Sequence, residues 1–288
     1  MTLAHDPSEL PPAERMVAIG TFDGVHRGHR AVIEAARAPG LRATTVTFEP
    51  HPRLVLGYEV QLLTTFDRRL ELLREAGPDD VLVVPFTPEL SQLEPEEFVA
   101  RVLAPIGTRA VVAGEGFRFG RGRAGTLETL AGLGIETHAV RLVEGVSSTR
   151  IREALRTGDI RSAASMLGRP PELEGPVLHG DARGGTLGFP TANLGVDREI
   201  LVPAYGIYAG EALGHRVAVS IGVNPHYGGN ERRIEAFLLD FAGDLYGRRL
   251  RLELWERLRD ERAFASEADL VEQIRLDTDA ARAARPPL

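Results

Sequence analysis

The stretch Val17-Ala-Ile-Gly-Thr-Phe-Asp-Gly-Val-His-Arg-Gly-His29 decides how the first half of the chain is read. It runs from a short apolar segment through a glycine-broken turn to two histidines separated by Arg27 and Gly28. Residues 30–38 follow with helical character. A strand that turns directly into a helix presents unpaired N–H groups and the positive end of the helix dipole, which suits an anion. Glycines let the backbone come close to phosphate oxygens. His26 and His29, near the first helical turn, are placed to donate to such oxygens. The same residues also read as two histidines beside a tight turn. A metal reading lacks an evident third ligand nearby.

Working outward, apolar strands alternate with helices from residue 16 to about 145. Strands are expected at 17–20, 43–48, 80–86 and 110–113, and helices at 30–38, 65–75 and 94–102. This alternation predicts a parallel sheet covered by helices, a Rossmann-like α/β domain. Ligands of such sheets lie beyond the carboxyl ends of the strands, where the opening stretch sits. After about residue 168 the pattern changes. Strand-like runs at 175–179, 207–212, 216–221, 234–240 and 249–255 are separated by Gly, Pro and Asn turns, which predicts a small antiparallel β-barrel. Residues 266–285 read as a terminal amphipathic helix with Ser266 as N-cap and Asp269 in the first turn. The expected domains are 1–168 and 169–288.

Composition narrows the classes. The 288 residues suffice for two domains, and the 43% hydrophobic content can build two cores. No run approaches the roughly 18–20 apolar residues of a membrane span. Residues 1–15 lack a signal-peptide pattern and read as a disordered lead-in. The net charge of −7 gives no general nucleic-acid surface. With no cysteine there are no disulfides or thiolate metal sites, which fits a cytoplasmic protein. All 34 basic residues are arginine. Any phosphate must therefore be held by Arg, His, backbone N–H groups or a metal.

Several motifs together carry a resemblance to a known family. The 20–29 segment looks like the H-x-G-H signature of nucleotidyltransferases. Thr47-Phe-Glu-Pro-His-Pro52, Gly114-Glu-Gly-Phe-Arg-Phe-Gly120 and Val146-Ser-Ser-Thr-Arg-Ile-Arg152 follow in order. Together they resemble the adenylyltransferase half of the bacterial bifunctional riboflavin kinase/FMN adenylyltransferase family. Downstream, Gly184-Gly-Thr-Leu-Gly-Phe-Pro-Thr-Ala-Asn193 is similar to that family's kinase signature, and Ile234-Glu-Ala-Phe-Leu-Leu-Asp-Phe241 and Asp244-Leu-Tyr-Gly247 follow suit.

The resemblance implies two sites. In the first, Gly20, Phe22, Asp23, Gly24, His26, His29, Ser147, Ser148, Thr149 and Arg152 serve ATP, while Glu49, His51, Pro52, Phe117, Arg118 and Phe119 serve the flavin. In the second, Gly188, Pro190, Thr191 and Asn193 serve ATP, Thr191 and Asn193 hold Mg²⁺, and Glu235 is the base. His26 and His29 are the catalytic pair of the first site. Read alone, 147–152 is also a helix cap, and Glu235 a solvent-facing strand residue. The implied chemistry is phosphorylation of riboflavin to FMN and adenylylation of FMN to FAD. Small-molecule substrates and a monomer or weak homo-oligomer are expected. Alternatives are a riboflavin kinase with an impaired adenylyltransferase half, a non-catalytic flavin-binding sensor, or an adenylyltransferase for another phosphorylated substrate. Gly116, Gly185 and His226 depart from the family pattern. The segment 210–218 is also short for it.

Overall fold

In a computed structural model, residues 1–37, 39–141, 143–179, 189–223 and 232–288 are described. The chain divides into two compact units. One comprises Met1–Val60 and Thr65–Val146; the other comprises Gln61–Thr64 and Ser147–Leu288.

The first unit is a six-stranded parallel sheet. Its strands are β1 (Thr2–Ala4), β2 (Arg15–Ile19), β3 (Arg42–Glu49), β4 (Asp80–Pro85), β5 (Thr108–Gly114) and β6 (Glu136–Val140), in the order β1-β4-β3-β2-β5-β6. Both faces are covered. Val17 and Ile19 of β2 join one core with Leu82, Val84, Val111 and Ala113. Met16 and Ala18 face the other way and pack with Val81, Val83, Ala110 and Val112. Burial on two sides is why these strands read as unbroken apolar runs. The chain proceeds from β2 through β3 to β4, then returns past β2 to form β5. That reversal creates a crevice at the carboxyl ends of the central strands.

The amino ends of the same strands are tied by charge. Asp80 is fully buried and receives Arg42 through two bonds of 2.8 and 2.7 Å, with Arg15 at 3.5 Å. Burial alone would raise the Asp80 carboxyl, but the bonds from Arg42 and Thr2 and the charges of Arg42 and Arg15 outweigh it and hold it below its ordinary value.

The expected lead-in is ordered instead. Thr2–Ala4 pairs with β4 as the sheet edge, and Ala4 and Leu10 are buried in the core. The first helix also begins earlier than the periodicity indicated, at Arg27–Ala35, because His26 caps it.

The second unit contains a closed barrel of β7 (Glu172–Leu178), β8 (Ala192–Leu194), β9 (Gly206–Ala212), β10 (His215–Val223), β11 (Arg232–Leu238) and β12 (Arg249–Arg259), in the order β10-β11-β8-β7-β12-β9. Val217, Val219, Ile221, Ile234, Ala236, Leu238, Leu250, Leu252 and Leu254 fill it from alternating positions. Backbones approach closely at Gly175, where an added Cβ would lie 2.0 Å from the Gly195 carbonyl oxygen. β9 and β10 are joined through Leu213 and Gly214, both at positive φ, the geometry of a tight two-residue hairpin. This accounts for the shortness of 210–218. The terminal helix Glu267–Ala283 is capped by Ser266, whose hydroxyl accepts from the Asp269 N–H at 3.2 Å. Arg259 anchors that helix through Asp277 at 2.9 and 2.6 Å.

Candidate functional sites

Three of the motifs meet in the first unit. The turns after β2, β3 and β5 all leave the carboxyl ends of neighbouring central strands. His26 caps the helix Arg27–Ala35, its Nδ1 accepting from the His29 N–H at 3.2 Å. This leaves the His26 proton on Nε2, where it can be donated to an anion. The two imidazoles stack, with centroids 3.6 Å apart and planes inclined by 15°. Phe22 meets His29 edge-on at 5.3 Å.

Gly28 has a reason the spacing did not reveal. A Cβ there would lie 3.2 Å from Cε1 and Nδ1 of His26. The glycine makes room for the His26 ring to fold over the first turn. The preceding turn is strained: Phe22 and Val25 have φ of 52° and 38°, and both side chains are buried. Asp23 is also buried.

The turn after β3 places His51 as the cap of the short helix Pro52–Val55, its Nδ1 accepting from the Arg53 N–H at 3.2 Å. The Glu49 carboxylate is paired with Arg69. In the loop after β5, Phe119 is buried against Phe98, with ring centroids 5.5 Å apart. Phe117 stacks on Phe119 at 5.7 Å. Arg118 is exposed, and its charge contributes, after the Thr126 hydroxyl and the Glu128 backbone, to holding the Glu128 carboxyl low. Gly116 lies in open space, with nothing within 4 Å of where a Cβ would stand.

The fourth motif lies in the second unit. Ser147 caps the helix Ser148–Thr157 by accepting from the Arg150 N–H at 3.2 Å. Thr149 falls in the first turn of that helix. Arg152 is buried, and its Nε donates to the Gln61 carbonyl at 2.6 Å.

On the barrel, Thr191 precedes β8 and Asn193 lies within it. Asn193 is the register partner of Glu235 on β11, and Ser220 of β10 partners Glu235 from the other side. Alternation puts Arg233, Glu235 and Phe237 outside the barrel while Ile234, Ala236 and Leu238 point inward. Arg233 approaches Glu235 at 4.0 Å. Phe189, which immediately precedes Pro190 and Thr191, packs edge-on against Phe237 of that outer face at 5.5 Å. Gly188, Gly185 and His226 lie outside the described residues.

Arg69 was not singled out by the sequence. It stands beside Arg68 on the helix Phe66–Glu75, and nothing in their spacing says which of the two reaches the crevice. It binds the carbonyls of Thr21 and Phe48 as well as Glu49.

A parallel-sheet unit with a capped histidine pair, joined to a closed barrel with a carboxylate opposite an asparagine, defines a two-unit nucleotide-dependent transferase. The sequence model for FAD synthetase matches residues 9–152, and that for riboflavin kinase matches residues 167–285. The chain belongs to the bifunctional riboflavin kinase/FMN adenylyltransferase family. Relatives so named include those of Pseudomonas fluorescens (37% identical, covering 100% of this chain and 99% of the relative) and Escherichia coli K12 (36%, 96% and 95%). A third, from Listeria monocytogenes, is 35% identical and covers 97% of this chain and 96% of its own. A crystal structure described as a macrolide-efflux protein from Streptococcus pneumoniae superposes with a TM-score of 0.88 at 29% identity, covering 98% of each chain. Among the described residues, no helix is long and apolar enough to cross a membrane.

Proposed function

We propose that this chain makes FMN from riboflavin in its C-terminal domain and FAD from FMN in its N-terminal domain, with 1–168 and 169–288 as the working divisions. The observation that carries this reading is that both sets of motif residues are present in one chain of this family. The efflux description is not carried over, since both family models and the curated relatives point to flavin chemistry.

In the kinase step the 5′-hydroxyl oxygen of riboflavin forms a bond to the γ-phosphorus of ATP. The bond from that phosphorus to the β,γ-bridging oxygen breaks, and ADP leaves. Glu235 takes the hydroxyl proton. Asn193, opposite it, offers a neutral oxygen, and Thr191, two residues earlier, offers another, a donor set compatible with Mg²⁺. Among the described residues no group of three or more His, Asp or Glu could hold a metal, so nucleotide phosphates and water would complete the coordination. Bound Mg²⁺ would neutralise phosphate charge. Gly188 and Pro190 complete the proposed nucleotide side of this site.

In the adenylyl transfer an FMN phosphate oxygen attacks the α-phosphorus of ATP. The α,β-bridging bond breaks and pyrophosphate leaves. No base is required, because the attacking phosphate is already ionised. His26 and His29 donate to the charge that accumulates on the phosphates, with the turn Gly20–Gly24, Ser147, Ser148, Thr149 and Arg152 also assigned to ATP. The flavin side is assigned to Glu49, His51, Pro52, Phe117, Arg118 and Phe119. We place the enzyme in the cytoplasm as a monomer or weak homo-oligomer; its lack of cysteine is compatible with a reducing compartment.

A chromatographic time course with purified protein, riboflavin, ATP and Mg²⁺ tests the whole reading. FMN followed by FAD is expected. Accumulation of FMN alone would instead identify a kinase with an impaired N-terminal half.

A further inference from the structure

We infer that Arg69 is a positioning residue for adenylyl transfer, locking the histidine-bearing turn to the flavin-side turn. This rests on the adenylyltransferase assignment of that site. Arg69 is 2% exposed. Its Nη1 donates to the Thr21 carbonyl at 3.3 Å, and its Nη2 donates to the Phe48 carbonyl at 3.1 Å and pairs with the Glu49 carboxylate. The guanidinium lies over the Phe66 ring at 5.2 Å, which fixes its plane from the helix that carries it. The Thr47 hydroxyl adds a second bond to the Thr21 carbonyl at 3.2 Å. One buried side chain therefore joins the carboxyl ends of β2 and β3.

The need for such a clamp is visible in the backbone it holds. Phe22 and Val25 occupy the left-handed region, and Val25 is β-branched. Such conformations persist only when their surroundings over-determine them. Thr21 immediately precedes this strained pair, and the turn ends at His26. Release of Thr21 would let the turn relax and carry His26 and His29 away from the bound phosphates. Glu49 participates by holding the guanidinium with its carboxylate. Rate depends steeply on such placement, with about 10²-fold lost for a 1 Å error.

The test uses the full chain, whose kinase activity serves as an internal control for folding. Arg69→Gln, Arg69→Lys and Glu49→Gln are assayed for FMN adenylylation and for riboflavin phosphorylation in the same preparations. Arg69→Gln is expected to lose about 10²-fold in kcat for adenylylation, with the KM for ATP changed less than threefold and phosphorylation unchanged. Arg69→Lys retains the charge and is expected to recover part of the loss. Glu49→Gln, which preserves size and the carbonyl bonds, is expected to lose about tenfold in kcat at an unchanged Tm. Adenylylation within threefold of wild type in folded Arg69→Gln and Glu49→Gln overturns the proposal. So does a loss that merely follows a fall in Tm and is not relieved by lysine. If wild type forms no FAD from supplied FMN, it is the underlying assignment of the site that has failed.

Discussion

Asn193 and Glu235 stand directly opposite one another on the antiparallel strands β8 and β11, and alternation puts Glu235 on the outer face of the barrel. A directly opposed pair brings the two Cβ atoms within about 5.5 Å. A carboxylate, the proposed proton acceptor, and an amide oxygen thus share one small patch. Glu235→Gln keeps the shape and removes the acceptor. We expect FMN formation from riboflavin to fall by about 10²–10⁴-fold while supplied FMN is still converted to FAD. Product analysis from the two starting flavins distinguishes this from general inactivation.

The complementary variant separates the other activity. His26→Ala combined with His29→Ala removes two donors at the capped helix. The chain should then accumulate FMN at the wild-type rate and form FAD at least about 10²-fold more slowly. Loss of FMN formation as well would contradict the assignment of the histidines to one step only.

Gly28→Ala is a subtler probe. The new Cβ crowds the His26 ring at 3.2 Å, and the ring must move. Adenylylation is expected to fall by about tenfold or more. Alanine has a helix propensity about 1 kcal/mol better than glycine, which offsets the crowding, so the melting temperature should hold. Activity and stability measured together reveal whether the ring, rather than the fold, was disturbed.

Gly116 occupies open space, so Gly116→Asn can be accommodated without collision. The substitution supplies the kind of hydrogen-bonding side chain that the family pattern has there. We expect a lower KM for FMN in adenylylation and no change in riboflavin phosphorylation. An unchanged KM would show that the glycine costs the flavin side nothing.

Asp80 supplies the pH prediction. Its folded-state value is depressed, so its contribution to stability is complete above about pH 4, the ordinary carboxylate value. That contribution is lost as pH falls through the lower folded value. Asp80→Asn should cost about 3 kcal/mol near neutrality, since it leaves Arg15 and Arg42 without their buried counter-charge. Urea titrations of both proteins from pH 7 to pH 3 should show the difference narrowing at the acid end.

Much of this was legible because burial on both faces leaves a continuous apolar run, as in β2 and β4. The edge strands were not. β6 is largely exposed, and β1 has only three residues. β8 is equally short and hides inside a motif that reads as a loop. The helix Ile160–Leu167 did carry signals, with Asp159 as its N-cap and Gly168 in the left-handed conformation at its end. Among candidate site residues, the histidines and Glu235 were singled out through their motifs. Arg69 was missed because an arginine pair on an amphipathic helix reads as solvent-facing, whereas its reach into the sheet depends on tertiary placement.

The alternation along β11 ties fidelity of assembly to chemistry. Shifting that strand by one residue against β8 would turn Glu235 toward the apolar interior and expel Ile234 and Ala236 to water. A mispaired barrel would therefore lose its core and displace the proposed proton acceptor in the same event. Kinase turnover per molecule is thus also a measure of how faithfully the strands have found their partners.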